Sequence, residues 1–152
     1  MASKPPGFDM PPGEYAGDVT SASAWETLSA DTNARLVDVR TEVEWKLIGQ
    51  PDLSSIGKQA IYLQWVTMQG PNTEFVAELD AALKEADTAR DAPIFFICQS
   101  GGRSKIAAMQ CTSLGYTRAY NIAEGFEGDL DEHQHRNSVS GWKVAGLPWR
   151  QS

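Results

Sequence analysis

Residues 94–105 read IFFICQSGGRSK, and this short stretch carries the signals that decide the fold. Ile94–Ile97 is an uninterrupted apolar run, which is typical of a strand buried on both faces of a parallel sheet. A polar, glycine-containing loop follows, and a helix is predicted to begin at about Arg103. Gly115 suits the C-terminal cap of that helix, whose apolar positions are Ile106, Ala107, Met109, Cys111 and Leu114. The stretch therefore predicts a strand, a tight loop and a helix in succession.

The same alternation of strands and helices extends along the chain in both directions. Leu36–Val39 is a second strand-like run, and Thr41 to Glu44 has the spacing of a capping box that opens a helix directly after it. Weaker signals predict strands at 60–63 and 119–122, a helix capped by Asn72, and a short helix opened by a capping box at Ser23–Glu26. We therefore predict an α/β domain with a mainly parallel central sheet flanked by helices.

The length of 152 residues predicts one domain, which we place at residues 15–150. Residues 1–14 contain four prolines and are predicted to form a flexible N-terminal arm. Residues 49–59 are rich in turn formers and are predicted to be a long loop. Residues 124–152 lack a clear period but contain several large apolar side chains, so we expect this tail to pack onto the domain.

Thirteen basic and twenty acidic side chains give a net charge of −7. This charge disfavours nucleic acid and anionic membranes as partners, because both are themselves negatively charged. No apolar run approaches the roughly 18 residues of a membrane span, and no signal peptide is visible. Two cysteines are too few for a disulfide framework. A reducing, cytoplasmic location is the expectation.

The loop after Ile97 has the composition of an anion-binding site around a thiol. Gly101 and Gly102 allow the chain to turn tightly, so that backbone N–H groups at the start of the helix point inward. A helix N-terminus stabilises negative charge, and a thiolate at Cys98 would therefore be favoured there. We expect these amides to surround Cys98 and its thiol to stay open to solvent. Cys111, in contrast, lies among core-type residues of the predicted helix and is expected to pack as a small apolar side chain.

Three segments resemble the rhodanese-type sulfurtransferase family. The stretch from Cys98 to Ser104 is similar to the active-site loop of the family, and Leu36–Arg40 with Glu42–Trp45 is similar to its signature near the start of the domain. Asn121–Phe126 resembles the segment after the last strand. The three matches occur in the family's order and extend the resemblance from about residue 15 to about residue 149.

The resemblance implies a single-domain rhodanese fold and an enzyme that transfers sulfur without a cofactor or metal. Cys98 is the expected nucleophile, which takes a sulfane sulfur from thiosulfate or a similar small anionic donor and passes it to cyanide, a thiol or an acceptor protein. The remaining expected substrate-binding residues form the active-site loop: Gln99, Ser100, Gly101, Gly102, Arg103 and Ser104. Arg103 is expected to hold the anionic part of the donor. Asp38 and Arg40 are expected to support the site, as a structural ion pair rather than as catalytic groups.

Two other functions stay open at this stage. Cysteine-dependent phosphatases and arsenate reductases resemble this arrangement, but their loops are one residue longer between Cys and Arg than the four residues found here. The shorter loop favours sulfur over a tetrahedral phosphate. A non-catalytic sulfur-carrier or regulatory rhodanese module is the second alternative, and retention of both Cys98 and Arg103 argues against a purely regulatory role.

Several other features carry weaker signals. The family commonly has a His-Ile-Pro-Gly-Ala-like stretch where this chain has Gly49–Gly57, so family contacts made from that loop are not carried over. Trp65 and Trp142 are expected to pack in the core or loops rather than to wall the site. His133 and His135 lie near three carboxylates, but a structural zinc site usually needs four ligands, and we predict no metal there.

Overall fold

A five-stranded parallel sheet is the centre of the computed structural model, which describes residues 14–151. The nine strands of these residues are β1 (Gly17–Val19), β2 (Arg35–Asp38), β3 (Gln50–Pro51), β4 (Ile61–Tyr62), β5 (Val66–Thr67), β6 (Gly70–Pro71), β7 (Ile94–Ile97), β8 (Ala119–Ile122) and β9 (Trp149–Arg150). The four α-helices are α1 (Ser21–Ala30), α2 (Glu42–Leu47), α3 (Phe75–Glu85) and α4 (Gly102–Ser113). The predicted α/β class with a parallel central sheet is confirmed.

The strand order of the sheet is β1-β8-β7-β2-β4, with every pair parallel. The predicted strand Ile94–Ile97 is β7 and lies in the middle, with Asp38 of β2 paired to Ile97 in the ladder. Because neighbouring parallel strands end at the same edge, the segments that follow β2, β7 and β8 meet there. That edge receives the loop that begins at Cys98.

Helices cover both faces of the sheet. On one face, residues of α3 and α4 such as Leu79, Leu83 and Ala107 form an apolar cluster with β7. On the other face, Leu28 of α1 packs in a cluster with Phe126 and Trp142 of the tail. Both tail aromatics are fully buried, so the prediction that the tail packs onto the domain is confirmed.

The two predicted capping boxes have different outcomes. At α2 the Glu44 N–H donates to Thr41 Oγ1 (3.3 Å) and the Thr41 N–H donates to Glu44 Oε1 (3.0 Å), which confirms that box. The box at Ser23–Glu26 is wrong. Thr20 is the N-cap of α1, because its extended backbone directly follows β1 and its Oγ1 accepts from the N–H of Ser23.

The predicted long loop at 49–59 contains more structure than expected. Its first residues form β3, which pairs with β9 of the tail, and a 3-10 turn spans Ser54–Ile56.

Residues 1–13, which include nearly all of the predicted N-terminal arm, lie outside the described residues. Between residues 14 and 151, no helix has both the length and the apolar character needed to cross a membrane.

Candidate active site

Cys98 lies immediately after β7 at the carboxyl edge of the sheet, and α4 begins four residues later at Gly102. Gly101 makes the intervening turn possible with a φ of +102°, a conformation that L side chains rarely adopt. A Cβ at Gly101 would also collide with the carbonyl oxygen of Ala123. Only glycine therefore fits this position of the loop.

Two groups of the loop contact the sulfur of Cys98. The N–H of Gly101 donates to Sγ at 3.2 Å, and Oγ of Ser104 lies 3.2 Å from the same Sγ. The first-turn N–H groups of α4 have no carbonyl one turn earlier, so the helix presents its positive end to this region. The arrangement can stabilise negative charge on the sulfur at position 98.

The thiol is nevertheless covered in this conformation. Cys98 is 1% exposed and belongs to the apolar cluster on the α3/α4 face of the sheet, against which Trp65 also packs. The expectation of a solvent-open thiol is therefore wrong for this state. The physical reason is that Sγ packs against the N–H of Gly101 and Oγ of Ser104 and that the side chain belongs to the apolar cluster.

Three backbone hydrogen bonds from the segment after β8 fix the loop. The N–H of Phe126 donates to the carbonyl of Cys98 (2.8 Å), and the N–H groups of Glu127 and Gly128 donate to the carbonyl of Gln99 (3.0 and 3.3 Å). In the described part of the chain, the side chains of Gln99 and Ser100 make no hydrogen bond. The contribution of Gln99 to the geometry is thus made by its backbone.

Arg103, expected to hold the donor anion, is paired with a carboxylate. Its Nη1 and Nη2 atoms lie 2.8 and 3.0 Å from Oε1 and Oε2 of Glu44. Burial alone would raise the pKa of Glu44, but hydrogen bonds from Arg103 and Thr41 outweigh it and hold that pKa below its ordinary value. The hydrogen bond to Glu44 in turn raises the pKa of Arg103. Arg103 is therefore an oriented member of an ion pair in this conformation.

Glu44 was not predicted as a site residue, although its signal was present in the sequence. The capping box fixes it in the first turn of α2, directly after the strand that neighbours β7. Asn121 was also missed, although it opens the third segment of the family resemblance. Asn121 is 2% exposed on β8, and its side chain contacts Ser104 and Gly101.

Asp38 and Arg40 form a fully buried ion pair beside the site. Arg40 Nη2 lies 2.8 Å from Asp38 Oδ2 and donates to the carbonyl of Gly49 at 2.8 Å, while its Cζ stands 4.2 Å from the centre of the Phe126 ring. The ion pair therefore connects β2 to the loop after α2, through the carbonyl of Gly49, and to the tail, through the ring of Phe126. Within residues 14–151, neither side chain makes a hydrogen bond to Cys98.

The remaining sequence candidates lie elsewhere. Trp142 is fully buried and packs edge-on against Trp25, whereas Trp65 donates from Nε1 to Gln110 Oε1 (2.9 Å).

His133 and His135 are exposed, and their backbone N–H groups donate to one carboxylate, that of Asp131. In the part of the chain that the structure describes, no cluster of three His, Cys, Asp or Glu side chains is placed to hold a metal. Burial raises the pKa of the other thiol, Cys111.

A protein-family model matches most of the chain. The family model described as "STR4 middle domain" matches residues 16–152. An uncharacterized protein of Rickettsia conorii is 38% identical over 133 residues, which are 88% of this chain and 96% of the relative. The rhodanese-like domain-containing protein 4 of Arabidopsis thaliana is 25% identical over 133 residues, but these are only 25% of that protein.

Solved structures show the same fold. The crystal structure of Rv0390 from M. tuberculosis has a TM-score of 0.80 and 48% sequence identity, and the match covers 91% of this chain and all of that one. The polysulfide-sulfur transferase homodimer of Wolinella succinogenes has a TM-score of 0.54 at 20% identity, covering 89% of this chain and 78% of that one, which shows the fold alone. The rhodanese-like fold expected from the three sequence segments is confirmed.

Proposed function

Because the chain belongs to the rhodanese-like STR4 middle domain family, we propose that it is a sulfurtransferase that carries a sulfane sulfur as a persulfide on Cys98. One observation above all supports this proposal. The sulfur of Cys98 lies at the end of the central strand and receives the N–H of Gly101, beside the first turn of α4. A negatively charged sulfur is the species that such a site stabilises.

The proposed reaction has two displacements at sulfur. The thiolate of Cys98 attacks the outer sulfur of thiosulfate, a new S–S bond forms, and the old S–S bond breaks with its electron pair leaving on sulfite. The resulting persulfide anion then gives its terminal sulfur to an acceptor. With cyanide, a C–S bond forms, thiocyanate leaves and the Cys98 thiolate is regenerated. Charge and sulfur balance in both steps without a cofactor or a redox partner.

The loop contributes electrostatic stabilisation rather than acid–base chemistry. Negative charge rests on the sulfur before attack and on the outer sulfur after it, and the N–H of Gly101 together with the helix end favours both states. The hydroxyl of Ser104 is a second donor within reach at 3.2 Å. Arg103 uses two of its five N–H groups on Glu44, so an anionic donor binds either through the remaining N–H groups or by displacing Glu44.

The burial of Cys98 implies that sulfur enters through a local opening. The loop is held by the hydrogen bonds to the carbonyls of Cys98 and Gln99, so we expect the opening to include their lengthening or breakage. Local openings of this kind are ordinary in folded proteins and cost less than global unfolding. An acceptor protein that binds at this edge of the sheet would favour the open state. Such a partner and a cytoplasmic location remain part of the proposal.

The proposal is tested by the formation of thiocyanate from thiosulfate and cyanide. Wild-type protein is expected to turn over, Cys98→Ser to show no activity, and Cys111→Ser to retain activity because Cys111 is a buried core residue of α4 that lies away from the loop. Hydrolysis of an aryl phosphate by the same samples tests the phosphatase alternative. Equal thiocyanate formation by wild type and Cys98→Ser, or turnover of the phosphate alone, would overturn the proposal.

A sulfur carrier that delivers to a partner protein is the second candidate function. Because the thiol is 1% exposed, a small acceptor has to wait for a local opening, whereas a docked partner can use its binding free energy to hold the site open. Single-turnover measurements separate the two functions. A carrier loads sulfur from the donor but releases it to cyanide far more slowly than it loads, whereas an enzyme for small acceptors releases it at a comparable rate.

A further inference from the structure

Asn121 lies on β8 in contact with Gly101 and Ser104 of the loop. Its side-chain amide has a fixed orientation. Its Nδ2 donates to the carbonyl of Gly101 (3.2 Å) and to Oδ1 of Asp18 (3.1 Å). Both of these partners are acceptors, so the NH₂ group must face them. The carbonyl Oδ1 of Asn121 consequently faces Oγ of Ser104, at a distance of 2.6 Å.

Asp18, one of the two acceptors of the Asn121 amide, is held in place by a second hydrogen bond. The hydroxyl of Tyr15 donates to the same Oδ1 of Asp18 at 2.7 Å. Burial and the hydrogen bond to Asp18 raise the pKa of Tyr15 to about 12, so this hydroxyl remains a donor at neutral pH. The chain of contacts therefore runs from Tyr15 through Asp18 and Asn121 to Ser104 and the sulfur.

Ser104 is placed between two groups that both can accept its single hydrogen. Its Oγ lies 2.6 Å from Oδ1 of Asn121 and 3.2 Å from Sγ of Cys98. A hydroxyl has one hydrogen to donate, and the oxygen of Asn121 cannot supply another. While Cys98 is a thiol, the consistent pattern is that its S–H donates to Ser104 and the hydroxyl of Ser104 donates to Asn121.

The pattern must change when the sulfur carries a negative charge. The thiol proton has then left to solvent, and the hydroxyl of Ser104 can rotate to donate to the sulfur. Hydrogen bonds to charged groups are stronger than those between neutral groups, so the rotated state is favoured. The net stabilisation of the thiolate is smaller, however, because the hydrogen bond from the Ser104 hydroxyl to Oδ1 of Asn121 is lost on rotation.

We propose that Asn121 is a positioning residue that competes with the Cys98 sulfur for the Ser104 hydrogen and thereby sets how readily Cys98 becomes anionic. The inference rests on the proposed function, since it concerns the same sulfur. In the resting thiol, Asn121 holds the hydrogen away from the sulfur. In the thiolate, Asn121 releases it. Asn121 acts through Ser104 and touches no reacting atom.

The variants that test this proposal replace none of the charged groups around the site, although Asn121→Ala removes one hydrogen bond that Asp18 accepts. These charged groups are the Arg103–Glu44 pair between α4 and α2, the Asp38–Arg40 pair after β2, and Asp18 on β1. The amide of Asn121 also holds the carbonyl of Gly101, whose N–H donates to the sulfur. A double-mutant comparison removes this second effect, because it is the same whether or not the Ser104 hydroxyl is present.

The test is a pH titration of the Cys98 thiolate by its far-ultraviolet absorbance, which requires no reagent to reach the buried sulfur. Four proteins are compared: wild type, Asn121→Ala, Ser104→Ala and the double variant, each against its own Cys98→Ser counterpart as the blank. A neutral hydrogen bond contributes about 1 kcal/mol, which corresponds to about fivefold in an equilibrium constant. We compare, at a given pH, the change that Asn121→Ala makes in the thiolate-to-thiol ratio of Cys98 with and without the Ser104 hydroxyl. That change is expected to be about fivefold more favourable to the thiolate when Ser104 is present than in the Ser104→Ala background.

Two results would contradict the proposed competition. If the effect of Asn121→Ala is the same in both backgrounds, or is less favourable to the thiolate when Ser104 is present, the competition does not exist. Circular dichroism checks that each variant is folded, and Asn121→Leu, which keeps the branching at Cγ without the polar atoms, replaces Asn121→Ala if the latter unfolds. The titration measures ionisation alone, so a protein that titrates as expected but forms no persulfide contradicts the proposed function and not this inference.

Discussion

Glu44 and Arg103 face each other through two parallel hydrogen bonds of 2.8 and 3.0 Å, although 59 positions separate them in the chain. The pair connects the first turn of α2 to the first turn of α4, so it also fixes the loop that carries Cys98. Both side chains are mostly buried, with exposed fractions of 19% and 22%. Bidentate geometry with this degree of burial makes the pair stronger than an ordinary surface ion pair.

Glu44→Gln tests the pair while preserving the cap of α2, because the Gln carbonyl can still accept from the N–H of Thr41. We expect a loss of about 2 kcal/mol in the free energy of unfolding at pH 7, since one partner of a charged hydrogen bond becomes neutral. Urea unfolding measures the change. The pKa of Glu44 is lowered in the folded state, so the stabilisation is fully present above the unfolded pKa of about 4.3 and is lost as the pH falls through the folded value. The difference between variant and wild type should shrink at strongly acidic pH, and a difference independent of pH would contradict the assignment.

Gly101→Ala is expected to disrupt the loop, because a Cβ there meets the carbonyl oxygen of Ala123 and the positive φ of +102° is unfavourable. We expect a loss of about 2 kcal/mol or more in stability, together with loss of sulfur loading. Gly102→Ala is the matched control, since nothing lies within 4 Å of a Cβ at that position. Thermal unfolding of both variants checks this contrast, which fails if the two substitutions are equally disruptive.

Asp38→Asn is expected to leave Arg40 charged, fully buried and without its anionic partner. Removing one member of a buried pair typically costs about 3–5 kcal/mol, so the variant should be severely destabilised in urea unfolding. Asp80→Asn provides the control, because Asp80 pairs with an exposed lysine on α3 and surface pairs contribute little. A mild effect of Asp38→Asn would show that Arg40 finds another partner.

The covered thiol predicts slow chemical modification. In a Cys111→Ala background, iodoacetamide should react with Cys98 at least about tenfold more slowly in the native protein than in urea, because the 1% exposed sulfur must first be uncovered. Mass spectrometry follows the reaction with time. A native rate equal to that of the unfolded chain would mean that the loop is open most of the time in solution.

The central part of the fold was predictable because its signals are local. The apolar run Ile94–Ile97 and the glycines after it define β7 and the turn into α4, and the capping box at Thr41 defines α2. β1 was missed because Gly17–Val19 has no apolar run of its own. Those three residues form a strand only because they pair with β8. The cap of α1 was misplaced for the same reason, since Thr20 follows that unrecognised strand.

The candidate site was predictable at Cys98 and less so around it. The thiol and the glycine turn are adjacent in sequence, and their geometry follows from strand, loop and helix alone. The pairing of Arg103 with Glu44 depends on which strands are neighbours, and the burial of the sulfur depends on packing within the apolar cluster on the α3/α4 face of the sheet. Long-range contacts of this kind leave no periodic signal in the sequence.

Intact-protein mass spectrometry after incubation with thiosulfate and removal of the excess tests the central claim most directly. The account predicts that wild type and Cys111→Ser each gain the mass of one sulfur atom, that Cys98→Ser gains none, and that cyanide removes the added mass. Sulfur uptake by Cys98→Ser, or no uptake by wild type even after long incubation, would contradict a persulfide at Cys98.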